Sequence, residues 1–358
     1  MRLLRQDGHM TVVRVRGRAL PDGEFVDLYA DGDRWTTDPV ASAELVGEGW
    51  LLPGLVDAHT HPGAANPGDP LDDELLRADL HEQVSAGVTM IRSPGLAGDP
   101  PAWFGNDTDV PRATHAGMWI AQHGQFFDGW GRRATHDELP DVATAQAKRS
   151  GWAKLIGDWG TDDGAIPEKT MRAVTEAVHA VGGRVAVHAT TAASGVAAVA
   201  AGVDSLEHGF WLDTDLLTRM AAQGTALTPT LTVMLDQLRH AREQPESPRK
   251  DWYVNGVTRH GPLAAAAVEA GVTVLAGTDT RPHGRISDEI RALATAGVPP
   301  HDALGAASWG ARAFLGLAGL VPGAPADVVV YDEDPRVDFD QLGVPRAVVL
   351  RGVLMRHR

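Results

Sequence analysis

The chain of 358 residues contains no cysteine. That absence excludes disulfides, thiolate zinc sites, iron–sulfur clusters and a cysteine nucleophile, although it does not fix the compartment. No run of about 18 apolar residues occurs, so no transmembrane helix is expected. The N-terminal MRLLRQDGHM has no apolar core, so no secretory signal is expected. Positive charge is in deficit: 32 Lys+Arg stand against 47 Asp+Glu, a net charge of −15. A phosphate backbone or an anionic membrane calls for a basic face, so neither is an expected partner. Lysine itself is scarce, with Lys148, Lys154, Lys169 and Lys250 the only four. These limits describe an acidic, cytoplasmic globular protein with a small-molecule or peptide substrate, and they leave a homo-oligomer open.

The length fits one large α/β barrel or two smaller domains. Short β-like runs separated by Gly and Asp turns occupy residues 1–50, as in TVVRVRGRAL and GEFVDLYADG. The same style returns near the C-terminus in ADVVVYD and RAVVLRGVLMR. Neither end has enough strand to bury two faces of a sheet alone. Residues 1–50 and 320–358 are therefore expected to pair into one small β domain.

Residues 51–319 alternate apolar runs with helical patterns, which indicates βα units and a parallel sheet. Eight strands are predicted, at 51–58, 88–93, 115–122, 152–157, 184–189, 203–208, 226–231 and 272–277. Helices are predicted at 72–87, 167–183 and 192–202, each ending in Gly. Eight βα units over about 270 residues match a TIM barrel. A doubly wound sheet could use the same units, but the first βα turn carries no G-x-G-x-x-G. The irregular segments 94–113, 122–137 and 240–252 follow strands, which in a barrel would set them at the C-terminal face.

His59 and His61 form H-x-H at the end of the first run, and side chains two apart on a strand point the same way. With 15 His in the chain, such a pair arises by chance often enough to mean little alone. The other strand ends change this. His188 closes RVAVHA, His208 closes DSLEH, Asp279 follows VTVLAGT, and Lys154 lies inside WAKLIG. Any one of these reads as an ordinary polar strand end. As a set they converge on one face of a barrel, which predicts a metal centre. A buried lone ammonium is costly, so Lys154 is either snorkelling or ion-paired, or it is a carbamate formed with CO₂ that bridges two metals.

At these motifs the sequence resembles the amidohydrolase superfamily of metal-dependent hydrolases. The resemblance runs from LLPGLVDAHTH near residue 51 to GLVPGAPADVVVYDEDP near residue 319. It is carried by GLVDAHTHPG, SGWAKLIGDWG, GGRVAVHATT, AGVDSLEHGF and AGVTVLAGTDTRPHG. Within the superfamily it is most similar to the Xaa-Pro dipeptidase and imidazolonepropionase-related group. The resemblance implies a (β/α)8 barrel joined to a small β-sandwich built from both termini. It implies that His59, His61 and Asp279 bind a more buried metal and that His188 and His208 bind a second. Lys154, N6-carboxylated, would bridge them. Two divalent ions are implied, with zinc the first expectation, though such ligands also accept Mn, Fe, Ni and Co.

In that chemistry a metal-activated hydroxide attacks the carbonyl, and Asp279 takes its proton and passes it to the leaving nitrogen. The expected substrate is a dipeptide, an N-acyl amino acid, a cyclic amide or a modified natural-product peptide. His123 matches a loop position where related members carry His and would either touch the substrate carbonyl or cap the loop. Arg281 and His283 would either hold a substrate carboxylate or form a surface ion pair. Trp130, Trp159 and Trp211 would wall a pocket or simply pack. The chain departs from the pattern at Thr191, where mononuclear deaminase relatives carry a Glu proton shuttle, and at Ala324, where many relatives have Lys. The alternative reading is a mononuclear aminohydrolase or imidazolone-type cyclic amide hydrolase acting on a heterocycle. A third is a non-enzymatic binding protein, but such members tend to lose ligands, and all six positions are filled.

Overall fold

The computed structural model describes residues 12–160 and 164–357. The MRLLRQDGHM segment read above for a signal lies outside them. The chain is a mixed α/β protein, with three sheets among the described residues. Among the described residues, no helix is long and apolar enough to cross a membrane.

Strands from both ends of the chain share one seven-stranded sheet. Its order is Val353–His357, Ala347–Leu350, Val328–Tyr331, Glu44–Pro53, Val13–Ala19, Glu24–Asp31 and Arg34–Thr36. Only the pair Val13–Ala19 with Glu44–Pro53 is parallel. Alternating burial along Val13–Ala19 places Val13 and Val15 in a core with Trp35, Leu51 and Val328. The sheet runs to Pro53, past the expected boundary at residue 50.

The predicted first strand, 51–58, is therefore two strands. Its first three residues finish the terminal sheet, and Leu55–Asp57 opens a separate parallel one. Gly54 sits at the break, where a Cβ would lie 2.0 Å from Thr89 Oγ1, so no side chain fits.

The remaining strands are parallel. Leu55–Asp57, Val88–Ser93 and Arg112–His115 form one sheet. Arg132–Ala134, Ile120–Gln122, Trp152–Ile156, Arg184–Ala189, Ser205–His208 and Ala226–Thr228 form another. Every residue of Val88–Ser93, Trp152–Ile156 and Ser205–His208 is buried, as expected of strands covered on both faces. Helices Asp73–Ser85, Glu168–His179 and Ala192–Ala201 fall where the apolar periodicity predicts them. The first is capped by Asp72, whose carboxylate accepts from Leu75 N at 2.8 Å.

Further expectations are corrected. Residues 115–122 are the last residue of one strand, His115, and the whole of a second, Ile120–Gln122, joined by an irregular crossing at 116–119. Residues 226–231 yield only Ala226–Thr228 before helix Leu231–Glu243 begins. Residues 272–277 are not a regular strand and show a single bridge, Leu227 with Val274. Gly277 explains part of this, since a Cβ there would stand 2.5 Å from His59 Cβ. The segment still joins the outer edges of the two parallel sheets. Leu275 N donates to Leu227 O on one side, while Ala58 N donates to Ala276 O and Asp279 N to His59 O on the other. Segment 240–252 follows a helix rather than a strand, turning between Leu231–Glu243 and Pro248–Glu269. Segment 122–137 contains the unpredicted strand Arg132–Ala134.

Candidate metal centre

All six residues singled out at the strand ends line one cavity of about 830 Å³. His59 and His61 follow Leu55–Asp57, Lys154 lies inside Trp152–Ile156, and His188 and His208 come from the ends of their strands. Asp279 ends the irregular segment beside His59. The imidazoles form a chain of contacts: ring centroids are 4.9 Å apart for His61–His59, 5.0 Å for His59–His208 and 4.6 Å for His208–His188. Burial holds all four below the ordinary histidine value, His59 at about 4, so they are neutral at pH 7.

The partners of these rings decide where their lone pairs point. His59 Nδ1 faces Glu207 Oε2 at 2.7 Å, and His61 Nδ1 faces the carbonyl of Gly95 at 2.7 Å. Both partners only accept, so each Nδ1 carries the proton and each Nε2 presents a lone pair. Those two Nε2 atoms stand 3.1 Å apart. Asp279 Oδ1 lies 3.4 Å from His61 Nε2 and 3.9 Å from His59 Nε2. The two imidazole lone pairs and the Asp279 carboxyl thus converge, their ligand atoms all within 4.8 Å of one another. A divalent cation fits that donor set.

Lys154 is the other anomaly. It is 1% exposed, and its Nζ has no hydrogen-bond partner. Burial pulls the amine down to about 8, and its charge depresses all four imidazoles. Burial also pushes the Asp279 carboxyl up to about 7. His208 and Asp279 have positive φ, 65° and 51°, as does Thr230 at 51°, whose hydroxyl lies 2.8 Å from His208 Nδ1. Left-handed backbone at non-glycine residues is costly and tends to gather at functional sites.

Behind the histidines is a buried charge pair absent from the sequence reading. Arg92 holds Glu207 by two hydrogen bonds of 2.9 Å, and Ser205 Oγ adds a third at 2.6 Å. Asp57, also buried, accepts from His59 N, Thr278 N and Thr278 Oγ1, tying the H-x-H segment to the segment before Asp279. The signal was available: Arg92 and Glu207, like Lys154, are charges inside wholly buried strands.

A model of the amidohydrolase family matches residues 50–355. The chain belongs to the amidohydrolase family. It is a metal-binding hydrolase acting on carbon–nitrogen bonds, from a family that generally uses divalent ions. An uncharacterized protein of Mycobacterium tuberculosis is 37% identical over 357 residues, covering 95% of each chain. Ochratoxinase of Aspergillus niger is 31% identical over 172 residues, 46% of this chain and 35% of its own length. Among solved structures, a Xaa-Pro dipeptidase with bound methionine superposes with TM-score 0.82 at 21% identity, covering 97% of this chain and 100% of that one. The A. niger ochratoxinase structure likewise gives 0.82 at 21%, covering 97% and 96%. At those identities the two structures speak for the shared fold.

The residues expected to hold substrate are distributed unevenly around this amidohydrolase cavity. Arg281 and His283 line it. The Arg281 guanidinium is engaged by Asp79 at 2.6 and 3.0 Å, and His283 Nε2 lies 3.3 Å from the same carboxylate. The ion pair foreseen at the surface is therefore formed on a carboxylate that is 3% exposed. His123 is exposed and outside the lining. Trp130 and Trp159 line the cavity, whereas Trp211 packs on Trp252 with centroids 6.3 Å apart and does not. Thr191, in place of the deaminase Glu, caps helix Ala192–Ala201 and donates to Asp158 at 2.7 Å.

Arg92→Ala strands the Glu207 carboxylate in the interior. Breaking a buried pair this way costs about 3–5 kcal/mol. Denaturant unfolding of the metal-free protein should show that loss, and a change under about 0.5 kcal/mol would mean the pair is not what holds Glu207.

Proposed function

We propose that this amidohydrolase hydrolyses an amide or peptide bond of a small-molecule or peptide substrate in the cytoplasm, at a binuclear metal centre. His59, His61 and Asp279 would hold one ion, His188 and His208 the other, and Lys154, carboxylated on Nζ, would bridge them. Zinc is the first expectation. The observation that carries this reading is the convergence of the His59 and His61 lone pairs with Asp279 in one cavity with a partnerless, buried Lys154. The parallel strands would close as a (β/α)8 barrel through segment 271–279. Residues 1–50 and 320–358 would form the attached β-sandwich domain.

Divalent ions at such a site supply Lewis acidity toward the carbonyl and make a water acidic near neutrality. The chain's own residues do the rest. The neutral Lys154 amine adds to CO₂, forming an N–C bond and releasing one proton, which leaves an anionic carboxylate on Nζ. Lowering the amine from 10.5 to about 8 favours the neutral form that this addition needs. Asp279 would accept a proton from the attacking water and return it to the leaving nitrogen. Glu207, anchored by Arg92, keeps His59 in the tautomer whose Nε2 faces the cavity.

Metal content by mass spectrometry, on protein purified without chelator, tests the reading. Two equivalents per chain with turnover on an amide and dipeptide library are expected, and His59→Ala should lower the content. One equivalent that added metal does not raise would favour a mononuclear site. Unchanged metal in His59→Ala would remove the H-x-H pair from the ligand set.

A further inference from the structure

One wall of the cavity is a continuous set of aromatic rings: Trp119, Phe126, Phe127, Trp130 and Trp159. Trp119 and Trp130 stack at 4.8 Å with an 18° interplanar angle. Phe126 meets Trp119 at 5.2 Å and Trp159 at 5.0 Å, and Phe127 meets Trp159 at 4.7 Å. The wall begins at the metal centre itself, with Trp119 5.0 Å from His61 and Trp159 5.6 Å from His188.

Rings that merely fill a core need no cavity beside them, yet all five border this one. The loop that carries three of them is also held in place. Trp130 Nε1 donates to Asp69 O at 2.6 Å, and Arg133 donates to Trp130 O at 2.6 Å and Phe127 O at 2.8 Å. Gly68 and Gly129 pack so closely that a Cβ on Gly129 would stand 2.7 Å from Gly68 O. Phe126 has φ of 69°, a left-handed backbone that a bulky residue adopts only when its surroundings impose it.

These five side chains carry no charge and no hydroxyl; Trp119 and Trp130 are buried and stack on each other, while Phe126, Phe127 and Trp159 offer the more accessible surface. A small residue such as the proline of a dipeptide would cover little of that surface. We propose that this aromatic box is the subsite for a large planar aromatic group on one side of the scissile amide, so that the substrates are arylated amides rather than small dipeptides. The proposal rests on the amide-hydrolase reading above and names the substrate class of the same site.

Two measurements separate the two. The first compares kcat/KM for N-(2-naphthoyl)glycine with N-acetylglycine, and for glycine 2-naphthylamide with glycine methylamide, in the metal-loaded enzyme. At least one naphthyl member should exceed its small counterpart by about tenfold or more, and Phe126→Ala should remove most of that preference. The second is calorimetric binding of 2-naphthol against phenol, which needs no turnover. 2-Naphthol should bind about tenfold more tightly, and Phe126→Ala and the solvent-facing Phe127→Ala should each weaken it. Binding with that pattern but no amide hydrolysis would keep the subsite and sink the hydrolase reading. Hydrolysis without a naphthyl preference, together with equal binding of naphthol and phenol, would overturn the subsite and leave the hydrolase reading standing.

Discussion

Lys154→Ala should lower kcat by about 10³-fold or more, beyond the 10–100-fold that changes behind a metal site usually cost. The reason lies in where the amine sits. Lys154 is buried at the cavity that the four imidazoles and Asp279 also line, and its Nζ has no hydrogen-bond partner. As an ammonium it would repel the cations this donor set suits; as a carbamate it would anchor them. Truncation leaves a space in which acetate or propionate can stand for the lost carboxylate, so partial rescue by a short carboxylic acid is expected. Lys154→Met adds a second readout. It keeps most of the volume and removes a polar group that burial penalises, so the metal-free variant should melt above the metal-free parent while remaining inactive. Wild-type turnover in Lys154→Ala without added acid would take the carbamate out of the account. A lower melting temperature in Lys154→Met would mean that the amine has a stabilising partner.

Asp279→Asn should lower kcat by about 10²–10⁴-fold, the range of a lost general acid–base group, with KM little changed. Asn is close to isosteric, and with φ of 51° at this position it is among the few residues that tolerate the backbone. Asp279 N would still donate to His59 O. The fold should therefore persist, as circular dichroism and the melting temperature can show. What disappears is the carboxylate that would take the proton of the attacking water and return it to the leaving nitrogen. A normal kcat would end its role as the proton carrier.

Much of the centre was legible because a charge or imidazole at the end of an apolar strand is conspicuous against its neighbours. Lys154 stood out in WAKLI for that reason. Arg92 in VTMIRS and Glu207 in SLEH show the same contrast, but they satisfy each other, and a pair separated by 115 positions is invisible until the strands come together. The strand at 272–277 was legible as an apolar run and not as an irregular one. Its geometry depends on Gly277 pressing against His59 from a distant part of the chain. Segment 240–252 does border the cavity, but only 244–247 is a turn: its ends belong to helices Leu231–Glu243 and Pro248–Glu269, the first of which starts where Thr230 turns the chain through a left-handed residue just after the strand.

The sequence by itself determined the α/β alternation, the pairing of the two termini and the six side chains that gather at the cavity. Each of these follows from short-range pattern: period-2 or period-3.6 apolar spacing, and a polar residue where an apolar run stops. Only the tertiary structure decided which nitrogen of each imidazole faces inward, that Lys154 has no partner, that Arg281 is held by Asp79, and that His123 stays outside. Those are properties of pairs far apart in the chain. Hydrogen-bond direction and burial do not exist until folding brings both members within about 3 Å.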